Sequence, residues 1–475
     1  MTEGNGSRAW TYEDVEAACR EIGPEVGTSM LDRDAAEQDF GRLVRRTALA
    51  VLAPRSIGEL ERILAFANTR GLKLTARGRG MSQGGQSIPA GGVSLDLSQL
   101  TETGVPQATS RTMRCSSGTT WRAAIARAAP HGFLPKVVPL NLDLTVGGLL
   151  SVAGVGATSH RFGCAVSCVA ELEVVTGDGR RVTCSETREP AVYQALLGGL
   201  GRAGIIASAD VELRPFKPRV RTFYLLFHEL GAWLGAQRFL VDSNRADYLE
   251  AFCSPCVQGL RNGPNGRVPF AEWFYGLHVS LEHDPGQAPE QAEALAGLDF
   301  FRLVHVEDND TVAFAARYDA RFAGMRNSGA WLQPHPWVEA MLPGDRLHEI
   351  LPAVLEAYPL AFGDGPRLLF INRHRAPPFL RMPEGPSVAC CALLPVGVPR
   401  HILPSALDAL RSIHRTIVAA GGKRVLSGWI TMMDEAALLE HFGEQAAAWT
   451  SARRALDPKG VLDSPLTYTD TDGQP

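Results

Sequence analysis

Two runs of small residues constrain this chain more than anything else in it. The first is Gly78, Arg79, Gly80, Met81, Ser82, Gln83, Gly84, Gly85, Gln86; the second is Thr145, Val146, Gly147, Gly148, continuing through SVAGVG to Gly156. Loops of this texture let several backbone N–H groups converge on one spot, which is a direct way to hold a diphosphate. Either run alone also fits an ordinary turn. A literal GxGxxG stands at Gly199, Gly201 and Gly204, but it follows a helical stretch and precedes a strand, the reverse of the order a Rossmann site needs. No GxxxxGK[ST] occurs, so ATP chemistry has no support.

At 475 residues the chain suits two large domains, or one domain carrying a large insertion. Its 47 Lys and Arg against 51 Asp and Glu give a formal charge of -4, so no basic field exists to attract nucleic acid or acidic membranes. The first residues, MTEGNGSRAW, lack a cationic start followed by an apolar stretch, and no apolar run reaches the ~18 residues of a membrane span. The expectation is a soluble, cytoplasmic protein with no membrane partner. Nine scattered cysteines form no disulfide framework. Cys253 and Cys256 in CSPC have the spacing of a redox or half-zinc site but no second pair, and no metal is expected.

Local patterns divide the chain. SIGELERILAFANTRGL reads as a helix with a Ser56–Glu59 capping box and Gly71 as its stop. The first glycine run then connects to VSLDL, which alternates as a half-buried strand does. AELEVVTGDGRRVTCS reads as two strands around an Asp178-Gly179 turn, EPAVYQALLGG as a helix, and GIIASADVEL as a further strand. From about Pro218 to residue 400, aromatic-rich strands such as TFYLLFHEL alternate with helices such as TVAFAARYDARFAGM and GDRLHEILPAVLEAY, the pattern of an antiparallel sheet covered by helices. After Leu403 come a long helix, a strand at KRVLSGW and a helix ending at Asp457 and Pro458.

ARGRGMSQGGQ, LTVGGLLSVAGVGATSHRFGCAVSCVAELEVVTGDG, LLGGLGRAGII, DYLEAF, GAWLQPHPW, and HFG followed by LDPKGVL stand in the order seen in cytokinin dehydrogenases. The chain resembles that family, within the vanillyl-alcohol-oxidase type of FAD enzymes, from about residue 45 to 463. The resemblance implies an α+β fold: a PCMH-type FAD-binding domain in two parts, 1–215 and 421–475, with a cap (substrate) domain at 216–420 roofing the flavin ring. It places Gly78, Arg79, Gly80, Met81, Ser82 and Gln86 around the pyrophosphate, and Thr145, Gly147, Gly148, Ser151, Gly154, Gly204, Ile205 and Ile206 along the rest of the FAD.

Departures from the family are equally informative. The relatives' GRGHS carries a histidine bonded to the flavin; Met81 stands there, and a thioether cannot form that link, so non-covalent FAD is expected. Cys164, where relatives have proline, offers only a remote substitute. The family's proton-accepting aspartate falls at Leu140, and Asp143, three positions on, is expected to be structural or solvated. A family glutamate falls at Arg321 and an asparagine at Glu339, while Trp337 and Leu426 keep their places as apolar pocket walls.

Glu339 is the best available general base, since a carboxylate in a dry aromatic pocket has its pKa raised; the alternative is a salt bridge with an arginine such as Arg321. Arg321 in turn could hold a substrate carboxylate or phosphate, or lie solvated. His335, His160 and His441 read as packed or capping residues. The expected reaction is oxidation of a small molecule at a carbon bearing nitrogen or oxygen, with oxygen or another acceptor taking the electrons. The alternative is a flavin-binding enzyme that catalyses a non-redox cyclisation or elimination.

Overall fold

The computed structural model describes residues 7–23, 26–27, 30–89, 91–263, 266–372, 376–429 and 435–465. Three sheets organise them. The first orders Val26–Gly27, Ala50–Leu52, Val93–Asp96 and Thr75–Arg77, with the last three strands parallel. Val93, Ser94 and Leu95 are all fully buried. The expected half-buried alternation therefore fails at Ser94, because a central parallel strand is covered on both faces.

Helix Ile57–Arg70 lies between the first two parallel strands in sequence. The Ser56 side chain accepts from the Glu59 amide at 3.2 Å, and Gly71 ends the helix at φ 63°. The reciprocal half of the capping box shifts by one residue, since Glu59 accepts from the Arg55 amide at 2.6 Å. Leu60, Ile63, Leu64 and Ala67 form the buried stripe, each side chain of Leu or Ile size contributing about 1.5–3 kcal/mol of burial.

The second sheet is antiparallel: Thr112–Ser116, Ile205–Pro215, Val169–Val175 and Arg181–Cys184, with Phe133–Pro135 also paired to the long central strand. The turn from Thr176 to Arg180 holds Gly179 at φ 86°, which the Asp-Gly pair foretells.

The third sheet has eight antiparallel strands in the order Arg302–Asp310, Arg219–Phe227, Gly266–His283, Tyr248–Gly263, Arg367–Ile371, Val388–Leu393, Val338–Pro343 and Lys423–Arg424. One face carries a core with helices Leu230–Asp242, Leu347–Glu356 and Leu403–Ala419. KRVLSGW forms a strand only at Lys423–Arg424, which pairs with Ala340 and Met341. TVAFAARYDARFAGM is two helices, Thr311–Ala315 and Asp319–Asn327, broken where Arg317 and Tyr318 turn toward Glu250.

The ends of the chain meet. Leu74 donates to the Val461 carbonyl at 2.7 Å, Asp463 donates back to Leu74 at 2.9 Å, and the Asp457 carboxylate accepts from the amides of Val461 and Leu462. Cys253 and Cys256 sit three apart on one strand, the first buried and the second exposed, so they cannot share a ligand. Among the described residues no cluster suits a metal ion, and no helix is long and apolar enough to cross a membrane.

Candidate functional site

A cavity of ≈300 Å³ is lined by residues of all three sheets. Gly78, Arg79, Gly80, Met81, Ser82, Gln86, Thr145, Gly147, Gly148, Ser151, Gly154, Gly204, Ile205 and Ile206 line one side. Leu140, Trp337 and Glu339 line the other, while Arg321 and Leu426 do not reach it.

The first glycine loop is held by its carbonyls. Phe40 donates to Gly80 at 2.8 Å and Gly41 to Ser82 at 3.0 Å, while among the described residues the amides of Gly78 through Ser82 donate to no protein group. Gly80 lies at φ 63°, the left-handed region that glycine enters without strain. The second loop differs from expectation. The amides of Val146 and Gly147 donate to the Thr119 and Ser117 carbonyls, and that of Gly148 to Thr145 Oγ1 at 3.2 Å. Those glycines supply close approach rather than donors: a Cβ on Gly147 would stand 2.5 Å from Ser117 Cβ. Among the described residues the amides without a protein partner lie further on, at Ala153, Gly154 and Val155, where the carbonyls of Ala153 and Gly154 are tied to Val166 and Ala165. Ala153 itself is held at φ 102°, a strained conformation for a residue with a Cβ.

Two sets of unengaged amides on a glycine-lined wall fit a dinucleotide diphosphate. The Gln86 side chain is not part of that set. Its amide nitrogen donates to the Leu426 and Gly428 carbonyls at 3.1 and 2.9 Å, and its oxygen accepts from Gly84, so it ties the first loop to the C-terminal segment. Leu426 thus contributes a carbonyl to the frame, while Val425 and Ser427 face the cavity. Behind the first loop, Asp39 accepts from Ser82 Oγ and the Gly85 amide, both at 2.8 Å, and burial pushes its carboxyl up to about 6.

Half-buried Met81 packs in an aromatic cluster with Phe40, Trp331, Trp337 and Leu140. Trp337 meets Phe40 edge-on at 4.8 Å and donates its indole N–H to Pro395 at 2.8 Å. His335 stacks on Phe40 at 4.1 Å, and burial lowers it to about 4; His160, between the Ala157 and Ala246 carbonyls, also falls to about 4. His441 is pushed down to about 3 by burial. These three histidines are packed, neutral groups. Cys164 lies in the core with its thiol raised to about 12 by burial, so no thiolate is available there to attach a flavin.

Glu339 projects into the cavity from strand Val338–Pro343. Burial raises its carboxyl above the usual range, and a hydrogen bond from Ser427 holds it back only in part. No lysine or arginine pairs with it among the described residues. Arg321 instead pairs with Asp364 and donates to the Leu394 carbonyl at 2.7 Å, which removes both the expected Glu339–Arg321 bridge and substrate contact through Arg321. Asp143 is structural, paired with Arg122 at 2.9 Å and near Arg326 at 3.9 Å.

The cavity also holds groups that sequence reasoning missed. Glu250 accepts from Arg317 Nε at 2.8 Å and from the Tyr318 hydroxyl at 2.6 Å. Burial opposes its charge, yet Arg317 and Tyr318 hold the carboxyl at about 2. Arg367 donates to the Tyr318 hydroxyl at 2.9 Å. Arg214 is bound by Glu282 at 2.8 Å beside Tyr248. The available signal was DYLEAF, whose strand alternation sets Tyr248 and Glu250 on one face; Arg317 and Tyr318 were hidden inside an apparently continuous helix.

The FAD binding domain family matches residues 48–185. Cytokinin dehydrogenase 5 of Oryza sativa subsp. japonica is 30% identical over 90% of this chain and 90% of its own. Cytokinin dehydrogenase 1 of Arabidopsis thaliana is 26% identical over 94% of this chain and 83% of its own. An uncharacterized oxidoreductase, ORF5 in the fasciation locus of Rhodococcoides fascians, is 27% identical over 90% of this chain and 95% of its own. A glycine-lined wall with free amides, a cap sheet opposite it and this likeness along nearly the whole chain agree: the chain belongs to the cytokinin dehydrogenase family of FAD-binding oxidoreductases.

Proposed function

We propose that the protein oxidises a small organic molecule at a carbon bearing nitrogen or oxygen, using a dissociable FAD, and that this molecule is not a cytokinin of the isopentenyladenine type. The observation that carries the reading is Glu339, a carboxyl in the cavity with no cation paired to it among the described residues and an affinity for protons raised by burial. Leu140, where the family resemblance puts an acid, faces the same cavity.

The amides of Gly78 to Ser82 and of Ala153 to Val155 would hold the diphosphate, with Gly147, Gly148, Gly204 and Ile205 against the remaining surface. A bound FAD would supply the hydride acceptor for the substrate carbon. Trp337 and Leu140, apolar walls of the cavity, would position the reacting carbon and exclude water from it. Glu339 takes the proton from the neighbouring N–H or O–H as the C=N or C=O bond forms. Burial raises its proton affinity above that of an exposed glutamate, so its ionised form is a stronger base. Met81 offers no nucleophile to the flavin. Oxygen or another acceptor then removes the electrons.

The test is anaerobic mixing of the purified yellow protein with a panel of amines and alcohols. Bleaching of the flavin by one of them supports the reading, whereas rapid bleaching by isopentenyladenine contradicts the substrate assignment. Product formation with the flavin still oxidised would establish non-redox chemistry instead. Acid precipitation checks the linkage: colour belongs in the supernatant, and a yellow pellet would contradict dissociable FAD.

A further inference from the structure

Four charged side chains that line the cavity, Arg214 from the second sheet and Glu250, Arg317 and Arg367 from the cap side, differ in how they are compensated. Arg214 has Glu282, and Arg317 has Glu250. Arg367 has no carboxylate partner among the described residues. Among the described residues its guanidinium hydrogen-bonds to the Tyr318 hydroxyl at 2.9 Å, with the guanidinium 5.2 Å from that ring's centre. Tyr318 in turn gives its proton to Glu250, so its oxygen is fixed as an acceptor and aims the guanidinium without neutralising it. A half-buried cation left in this state calls for an anion, because desolvating an unpaired charge is costly.

Strand register shows where that anion would lie. Arg367 pairs with Ala392, and Ala392 pairs on its other side with Glu339. Arg367 and Glu339 therefore stand in one row on the cavity face of the sheet, two strands and roughly 10 Å apart. Only the methyl group of Ala392 lies between them, which leaves a slot open to the cavity.

We propose that Arg367 is a specificity-determining residue that binds a carboxylate on the substrate in a forked pair, while the oxidisable end of the same molecule lies toward Glu339. This rests on the oxidoreductase reading above. A monoanion matches the single uncompensated guanidinium; a phosphate dianion would leave one charge unmatched in a cavity that already contains Glu339.

The test is calorimetric titration of the purified flavoprotein, its flavin content recorded, with benzoate, phenylacetate, their neutral amides and phenyl phosphate. The carboxylates should bind at least tenfold more tightly than their amides. Arg367→Met should remove that preference without changing amide binding or flavin content, and Arg367→Lys should retain part of it. Equal binding of acids and amides by the natural protein, unchanged carboxylate binding in Arg367→Met, or tighter binding of phenyl phosphate than benzoate would each overturn the proposal. An Arg367→Met protein with a lowered flavin reduction potential and unchanged benzoate affinity would assign the guanidinium to the flavin instead, and would overturn it too. Should no amine or alcohol bleach the flavin while the acid preference persists, the redox reading fails and the carboxylate site stands.

Discussion

The two walls of the cavity use different chemistry. On the glycine side the functional groups are backbone amides, and side chains such as Gln86 and Asp39 work behind the surface to hold the loop in shape. On the cap side the functional groups are side chains: Glu339, Glu250 and Arg367 stand on strands whose backbones are already paired, and Arg317 reaches in from a break between two helices. The glycine wall presents its amides through geometry that few substitutions tolerate. The cap wall is free to change its side chains without disturbing its hydrogen-bond ladder, and there Glu339 stands where the family resemblance implies an asparagine.

If that contrast holds, substitutions on the two walls separate cleanly in what they change. The largest effect belongs to Glu339→Gln. Removing a positioned base lowers kcat by about 10²–10⁴-fold while flavin content stays the same. The natural protein's kcat/KM should rise with pH through a value above the ordinary glutamate range, because the base must be ionised and burial raises its pKa; the variant should lack that limb. A pH–rate profile on the substrate found by flavin bleaching checks both, and an unchanged acid limb would remove Glu339 from the mechanism.

Next comes Glu250→Gln, which breaks a buried ion pair and leaves Arg317 uncompensated, at a cost of about 3–5 kcal/mol in stability. Glu250 is held at about 2, below its ordinary value of 4.5, so its stabilisation is present above about 4.5 and lost as pH falls toward 2. Denaturant melts of both proteins at pH 7 and pH 3 should therefore differ most at pH 7. A constant difference would show that packing, not charge, is what Gln disturbs.

On the glycine wall, Gly78→Val should lower FAD affinity about 10- to 100-fold, because its Cβ would stand 2.5 Å from Thr145 Oγ1 and press the two loops apart. Flavin-to-protein absorbance ratios after dilution read this directly, with circular dichroism showing the fold retained. Loss of activity with full flavin retention would blur the division between the walls.

The sequence disclosed these walls unequally, and physics explains why. Glycine runs, the capped helix from Ile57 and the Asp178-Gly179 turn are local signals, each enforced by residues within a few positions. Which amides remain free is not local. Gly147 loses its amide to Ser117, and Ala153, no glycine, presents one at φ 102°. On the cap side, family position led to Glu339 and Trp337, which do face the cavity, and to Arg321, which does not because Asp364 takes it. Arg367 was invisible, since its meaning depends on register with Ala392 and on a phenol from a helix break 49 residues away.

The smallest effect tests the support behind the glycine wall. Asp39 uses one carboxylate oxygen to hold Ser82 and Gly85, and its other oxygen is buried without a partner. Its folded value of about 6 stands above the ordinary 3.8, so folding favours the protonated acid. The associated stabilisation is complete below about 3.8 and is lost as pH rises through about 6. Asparagine keeps the accepting oxygen and cannot ionise. Asp39→Asn should therefore raise Tm by about 2 °C at pH 8 and leave it unchanged at pH 4. It should also slow flavin release at pH 8, because the loop it steadies carries the free amides. A variant that melts lower at both pH values would mean that the ionised carboxylate, through its attraction to Arg77, is what shapes the loop, and the glycine wall would then depend on charge as the cap wall does.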